Sequence, residues 1–125
     1  SPKINTLLFI DVDNMIGQLS KINTCEITTH QIYIISLKTI SVHVSHELNK
    51  SNVSLLRAKT QSKNAADILL SNAASLLNIL LPSKINFNII SNDGFIYELK
   101  EALGIIIKER NISCGNIDDF INNNK

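Results

Sequence analysis

Leu7-Leu8-Phe9-Ile10 form a continuous apolar run inside Ile4 to Ile10, and Asp11-Val12-Asp13-Asn14 follow directly. A strand buried on both faces of a parallel sheet has this pattern. A short helix is predicted over Met15 to Ile22. From Thr28 to Asn49 two patterns overlap. Tyr33, Leu37, Ile40, Val44 and Leu48 recur at helical spacing, with Thr28 or Thr29 as cap, whereas Ile32 to Ile35 is β-rich. Helix is the favoured reading. Val53 to Ala58 predicts the second strand. Ala65 to Leu81 predicts the longest helix, almost wholly apolar and deeply packed, with Asp67, Ser71, Ser75 and Asn78 on one narrow stripe and Pro82 as its stop. Ile85 to Ile90 is the third predicted strand. A helix over Phe95 to Leu103 is closed by Gly104. The β-branched run Ile105 to Ile107 is the fourth predicted strand, and Ile117 to Asn122 adds a last helical turn.

Strands alternate with helices, so the fold class is α/β, with a central parallel sheet of about four strands, flanked by helices and joined by right-handed crossovers. At 125 residues, 44% hydrophobic and 18% charged, the chain suits one globular domain with a single core. The predicted domain spans residues 1–121, with a flexible Asn-rich tail at 122–125. A formal net charge of +1 leaves no broad basic field, so nucleic acid would have to be held locally or through a cation. No apolar run approaches the ~18 residues of a membrane span. Cys25 and Cys114 fit no CxxC pattern and read as free thiols of a reducing cytosol, which places the protein in the cytoplasm. Exposed apolar residues within Ile32 to Val44 would supply a homodimer face. His43, His46 and Glu47 read as an exposed polar face rather than a metal site.

The chemistry lies in the aspartates. The glutamates scatter through helices and loops. Asp11 and Asp13 instead follow the first strand, Asp67 opens the helix after the second, Asp93 follows the third, and Asp118 and Asp119 lie beyond the fourth. Ligands of open parallel sheets bind at the carboxyl edge, where such segments converge. Gathered carboxylates repel one another, and a hard divalent cation relieves that repulsion; all-oxygen donors favour Mg²⁺ or Mn²⁺.

Four pieces of the chain also resemble a known family in order. Phe9-Ile10-Asp11-Val12-Asp13-Asn14 resembles the opening D-x-x-N motif of NYN domains, members of the PIN-like nuclease superfamily. Lys63-Asn64-Ala65-Ala66-Asp67 is similar to their K-x-x-x-D helix start, Ser91-Asn92-Asp93 to their S-x-D, and Asp119-Phe120-Ile121 to their closing D-x-F-I. The resemblance implies a three-layer PIN-like fold and Mg²⁺- or Mn²⁺-dependent hydrolysis of RNA or sometimes DNA, leaving 5′-phosphate and 3′-hydroxyl ends. With no aromatic stacking platform or long basic groove in the sequence, single-stranded nucleic acid, RNA favoured, is the expected substrate. Asp11, Asp67 and Asp93 would hold the metal, and Asn14, Lys63, Ser91 and Asn92 would serve substrate. Many members read S-x-D-x-D. Here Phe95 stands at the second acid, so Asp13 or Asp119 would complete the set.

Two other readings compete. Asp11-Val12-Asp13-Asn14-Met15 resembles the D-x-D-x-[TV] motif of haloacid-dehalogenase-like phosphatases. Asp11 would then be a nucleophile and Asp13 a general acid/base, with Ser91-Asn92, Lys108 and Asp118-Asp119 as later motifs. Met15 breaks that motif, the spacing from Lys108 to Asp118 is short, and Asp67 has no role. In the second, Phe95 marks a non-catalytic PIN-like domain that binds RNA or protein.

Overall fold

The computed structural model describes residues 3–13, 16–25, 27–36, 52–60, 62 and 64–124. Five strands form one sheet: β1 (Thr6–Asp11), β2 (His30–Ser36), β3 (Val53–Arg57), β4 (Asn86–Ile90) and β5 (Ile112–Gly115). Their order is β3-β2-β1-β4-β5, and every neighbouring pair is parallel. A 3-10 helix (Ile16–Thr24) follows β1. The α-helices are α1 (Ala65–Leu80), α2 (Phe95–Ile106) and α3 (Ile117–Asn123).

The apolar run of β1 is continuous because both faces of this central strand are covered. Leu8 and Ile10 pack with Leu19 and Ile22 of the 3-10 helix and with Ile117, Phe120 and Ile121 of α3. Leu7 and Phe9 point the other way, onto Leu70 and Ala74 of α1 and Ile96, Leu99 and Leu103 of α2. Phe9 lies stacked against Tyr33 and meets Phe87 edge-on, each with centroids 5.4 Å apart. The result is a three-layer α/β fold.

The structure corrects several local expectations. Residues 30–36 are strand, not helix: β2 lies between β1 and β3 and bonds to both, and Ile32, Ile34 and Ile35 are buried. Backbone partners on two sides outweigh a helical periodicity worth only tenths of a kcal/mol per residue. The first part of the expected dimer face is therefore interior. Residues 37–51, including His43, His46 and Glu47, lie outside the described residues. The helix expected over Met15 to Ile22 is a 3-10 helix over Ile16–Thr24.

The fourth predicted strand is also displaced. Gly104 does not stop α2, which continues through Ile105 and Ile106 with the Ile107 N–H bonded to the Leu103 carbonyl. The strand at the edge beyond β4 is instead Ile112–Gly115, paired with β4 from Phe87↔Ile112 to Ile90↔Gly115. One more strand is present than expected because residues His30–Ser36 form strand rather than helix. Nor is α1 deeply packed all round. It buries Ala66, Leu70, Ala74 and Asn78, while Ile68, Leu76, Ile79 and Leu80 are exposed. At the other end of the chain, α3 carries the Asn-rich segment to Asn123, and the Asn124 side chain bonds back to the Phe120 carbonyl.

Candidate active site

The strand order creates the site. From β1 the chain moves sideways to β2 and β3, then α1 carries it back across the sheet to β4, on the far side of β1. Loops leaving β1 and β4 therefore diverge, and a crevice opens at their carboxyl ends. Asp11 is the last residue of β1, and Ser91 to Gly94 leave β4 beside it. Asp67 enters from the first turn of α1.

Asp11 is only 5% exposed. Its Oδ2 accepts the Ser91 hydroxyl at 3.0 Å, and its Oδ1 accepts the Asp13 N–H at 3.3 Å. The Ser91 Oγ in turn accepts the Asp93 N–H at 3.0 Å, so one hydroxyl joins the β1 acid to the β4 turn. The Val12 N–H, bonded to the Ile35 carbonyl, fixes the exit from β1. Burial pushes the Asp11 carboxyl from 3.8 up to about 6 against the lowering effect of Ser91 and the Asp13 amide, and repulsion from Asp13 and Asp67 adds to the rise. Asp67 is half-buried. Its carboxyl is also raised, first by burial and then by repulsion from Asp93 and Asp13. Four acids from three segments thus share one electrostatic field.

Asp93 and Asn92 are exposed in the turn after β4, and the Asp93 Oδ1 accepts the Phe95 N–H at 3.5 Å. The Phe95 side chain, where an acid was expected, packs partly buried on the core under α2. Asp119 is placed apart. It sits in the first turn of α3, its N–H held by the Asn116 Oδ1 at 2.9 Å, and it lines a cavity beside β5. Asn14 and Lys63 lie outside the described residues.

The donors are carboxylate and hydroxyl oxygens, the chemistry of Mg²⁺ or Mn²⁺ rather than of zinc. Mutually repelling acids, one of them buried, are in the electrostatic state that a divalent cation relieves. In charge and donor type the residues fit such an ion. Among the described residues, no three His, Cys, Asp or Glu side chains form a group that could hold one. The acids therefore form an open array rather than a closed shell.

A family model described as PIN like domain matches residues 3–113. The chain belongs to the PIN-like domains. No curated protein and no solved structure matches it. The match takes in all five acids and hydroxyls at the crevice, from Asp11 to Asp93, and stops before α3 and Asp119. The PIN-like architecture also separates the groups that the phosphatase reading needs together. Lys108 is exposed between α2 and β5, at the amino edge of the sheet, whereas Asp11 ends β1 at the carboxyl edge. Both cysteines are free thiols, Cys25 buried and Cys114 half-buried. No helix among the described residues is long and apolar enough to cross a membrane.

Ser91 gives this site a testable pH signature. Ser91→Ala removes the hydroxyl that favours ionised Asp11 and leaves the Asp93 N–H without its acceptor. The acidic limb of any metal-dependent activity is expected to move to higher pH, and a pH–rate profile of the variant beside wild type reads the shift.

Proposed function

We propose that this PIN-like domain is a metal-dependent nuclease of the NYN type, cutting single-stranded nucleic acid and favouring RNA. The observation that carries the reading is the shared field of Asp11, Asp13, Asp67 and Asp93, with Asp11 buried at the crevice and tied through Ser91 to the Asp93 backbone.

Asp11, Asp67 and Asp93 would hold Mg²⁺ or Mn²⁺, with Asp13 beside them. Such a cation, when bound, withdraws charge from a phosphoryl oxygen and makes water a stronger nucleophile near neutral pH. The protein's own part is positional. Ser91 and the Asp13 amide orient the Asp11 carboxylate, and the turn after β4 presents Asp93 to solvent, where a strand can approach. Asn92, exposed in the same turn, would contact substrate, as would Asn14 and Lys63. With a net charge of +1, attraction between cation and phosphate replaces a basic groove.

Labelled single-stranded RNA and DNA, incubated with purified protein in Mg²⁺, Mn²⁺ or EDTA, test the reading. Cation-dependent cleavage is expected, faster on RNA, and Asp67→Asn and Asp93→Asn should each lose roughly 100-fold. Full activity in both variants, or no cleavage with either cation, would overturn it. The second outcome would favour a non-catalytic RNA- or protein-binding domain, which the open array and the apolar Phe95 also fit.

A further inference from the structure

A second feature lies one strand away from the acids. A cavity of about 330 Å³ opens between β4, β5 and α3. Its polar wall is built from Asn88 on β4, Ser113 on β5 and Asn116, Asp119 and Asn123 around α3, and the Phe120 ring supplies an apolar patch. That volume is at the low end of ligand clefts, roughly 300–1,000 Å³, and suits one ring system rather than a folded partner. Asn88 and Ser113 face each other in register across β4 and β5. Asn88 is a polar interruption on a sheet face where Leu8, Ile10 and Ile90 are core.

The chemistry of the wall selects the ligand. Among the described residues no lysine or arginine lines the cavity, so its described wall does not favour phosphate. Asparagine amides offer a donor and an acceptor side by side, the complement of a base edge, and a carboxylate accepts from an exocyclic amino group. Asn116 spends its Oδ1 on the Asp119 amide. The Asn88 and Asn123 amides make no hydrogen bond to any of the described residues, so they are open to a ligand.

Position ties the cavity to the crevice. Gly115 and Ile90 line it, and the Gly115 carbonyl accepts the Ser91 N–H at 3.1 Å. Ser91 is the residue that holds Asp11. In the strand order, β5 stands two spacings from β1, about 10 Å. A strand whose phosphate lies at the acids can therefore place a neighbouring base in the cavity. Most of the polar wall, from Gly115 onward, also lies beyond the segment that the family model matches.

We propose that the cavity between β4, β5 and α3 seats one unpaired nucleobase of the strand whose phosphate lies at the Asp11–Asp93 edge, and so sets base preference. The inference rests on the nuclease reading for the identity of the strand, but its test does not need cleavage. Labelled single-stranded RNA oligonucleotides carrying one central A, C, G or U among abasic positions are titrated by fluorescence anisotropy in EDTA. Wild type is expected to favour one base over the others and over the fully abasic strand by about tenfold. Asn88→Ala and Asn123→Ala should each reduce that preference to less than about twofold while unchanged circular dichroism shows the fold intact. Asn123 is exposed, so its variant keeps the experiment decisive if Asn88→Ala unfolds. Equal binding of all five strands, or an unchanged preference in Asn123→Ala, overturns the base pocket. A clear preference without cleavage in Mg²⁺ or Mn²⁺ supports the pocket and overturns the nuclease reading alone.

Discussion

Arg110→Ala is expected to lower the unfolding free energy by about 4 kcal/mol, which is a large fraction of the ~5–15 kcal/mol that holds a domain of this size together. Arg110 is 5% exposed and has no carboxylate partner among the described residues. Its guanidinium donates instead to the end of α1 and the turn beyond: to the Asn78 Oδ1 at 2.6 Å and to the carbonyls of Asn78, Leu81, Pro82 and Ile85 at 2.7–2.9 Å. It also lies over the Phe87 ring, 4.3 Å from the centroid. A fixed cation at a helix C-terminus satisfies carbonyls that have no partner within the helix and answers its negative pole. Alanine would strand several of those acceptors in a site closed to water. Lysine restores the charge, but a single ammonium cannot span acceptors spread across the fork, so Arg110→Lys should cost about 2 kcal/mol. Urea unfolding of the three proteins measures the series. A loss under about 1 kcal/mol in Arg110→Ala would show that water replaces the guanidinium without penalty.

Asp11→Asn is expected to have the opposite effect on stability while removing function. Metal-free and above pH 6, the variant should be more stable than wild type by about 2–3 kcal/mol. The native carboxyl holds its proton up to about pH 6, whereas the unfolded chain releases it near 3.8. Between those values the native state binds more protons than the unfolded state, so stability falls as pH rises through that window. Above pH 6 the whole cost of a buried carboxylate is present, and below 3.8 none of it is. Asparagine carries no charge and can still accept the Ser91 hydroxyl. The two proteins should therefore converge in melting temperature near pH 4 and separate by pH 7.5 in EDTA. Mn²⁺ should raise the wild-type melting temperature and leave the variant nearly unmoved, and cleavage should fall by roughly 100- to 1,000-fold. Equal stability of the two proteins at pH 7.5 in EDTA would show that the Asp11 charge is not costly where it sits.

The two effects meet in one helix. Arg110 secures the C-terminal end of α1, and Asp67 stands in its first turn, at the crevice. A loosened C-terminus would let the whole helix shift against β1 and β2, so Arg110 supports the site without touching it.

The candidate site was legible because parallel topology is simple. Once a strand–helix alternation is read from the apolar runs, every segment that follows a strand must reach one edge. The order of strands and helices alone brings Asp11, Asp67 and Asp93 to that edge. The link through Ser91 was legible only as a family pattern. Its hydroxyl reaches Asp11 across 80 positions of sequence, at a distance that only the β1–β4 pairing sets. In the sequence Asp119 is only a candidate to complete the acid set, and in the fold it lines the cavity beside β5.

By itself, the sequence determined the buried strands β1 and β4, the half-exposed edge strand β3, the helix α1 and the carboxyl edge that collects the acids. Each has a local pattern strong enough to need no distant partner. Tertiary structure decided β2, the edge strand β5, the length of α2, the burial of Arg110 and the polar cavity beside Asn88. In each of these, local preferences differ by tenths of a kcal/mol per residue, whereas a backbone pairing or a buried polar group is worth about 1 kcal/mol or more, so remote partners chose the outcome.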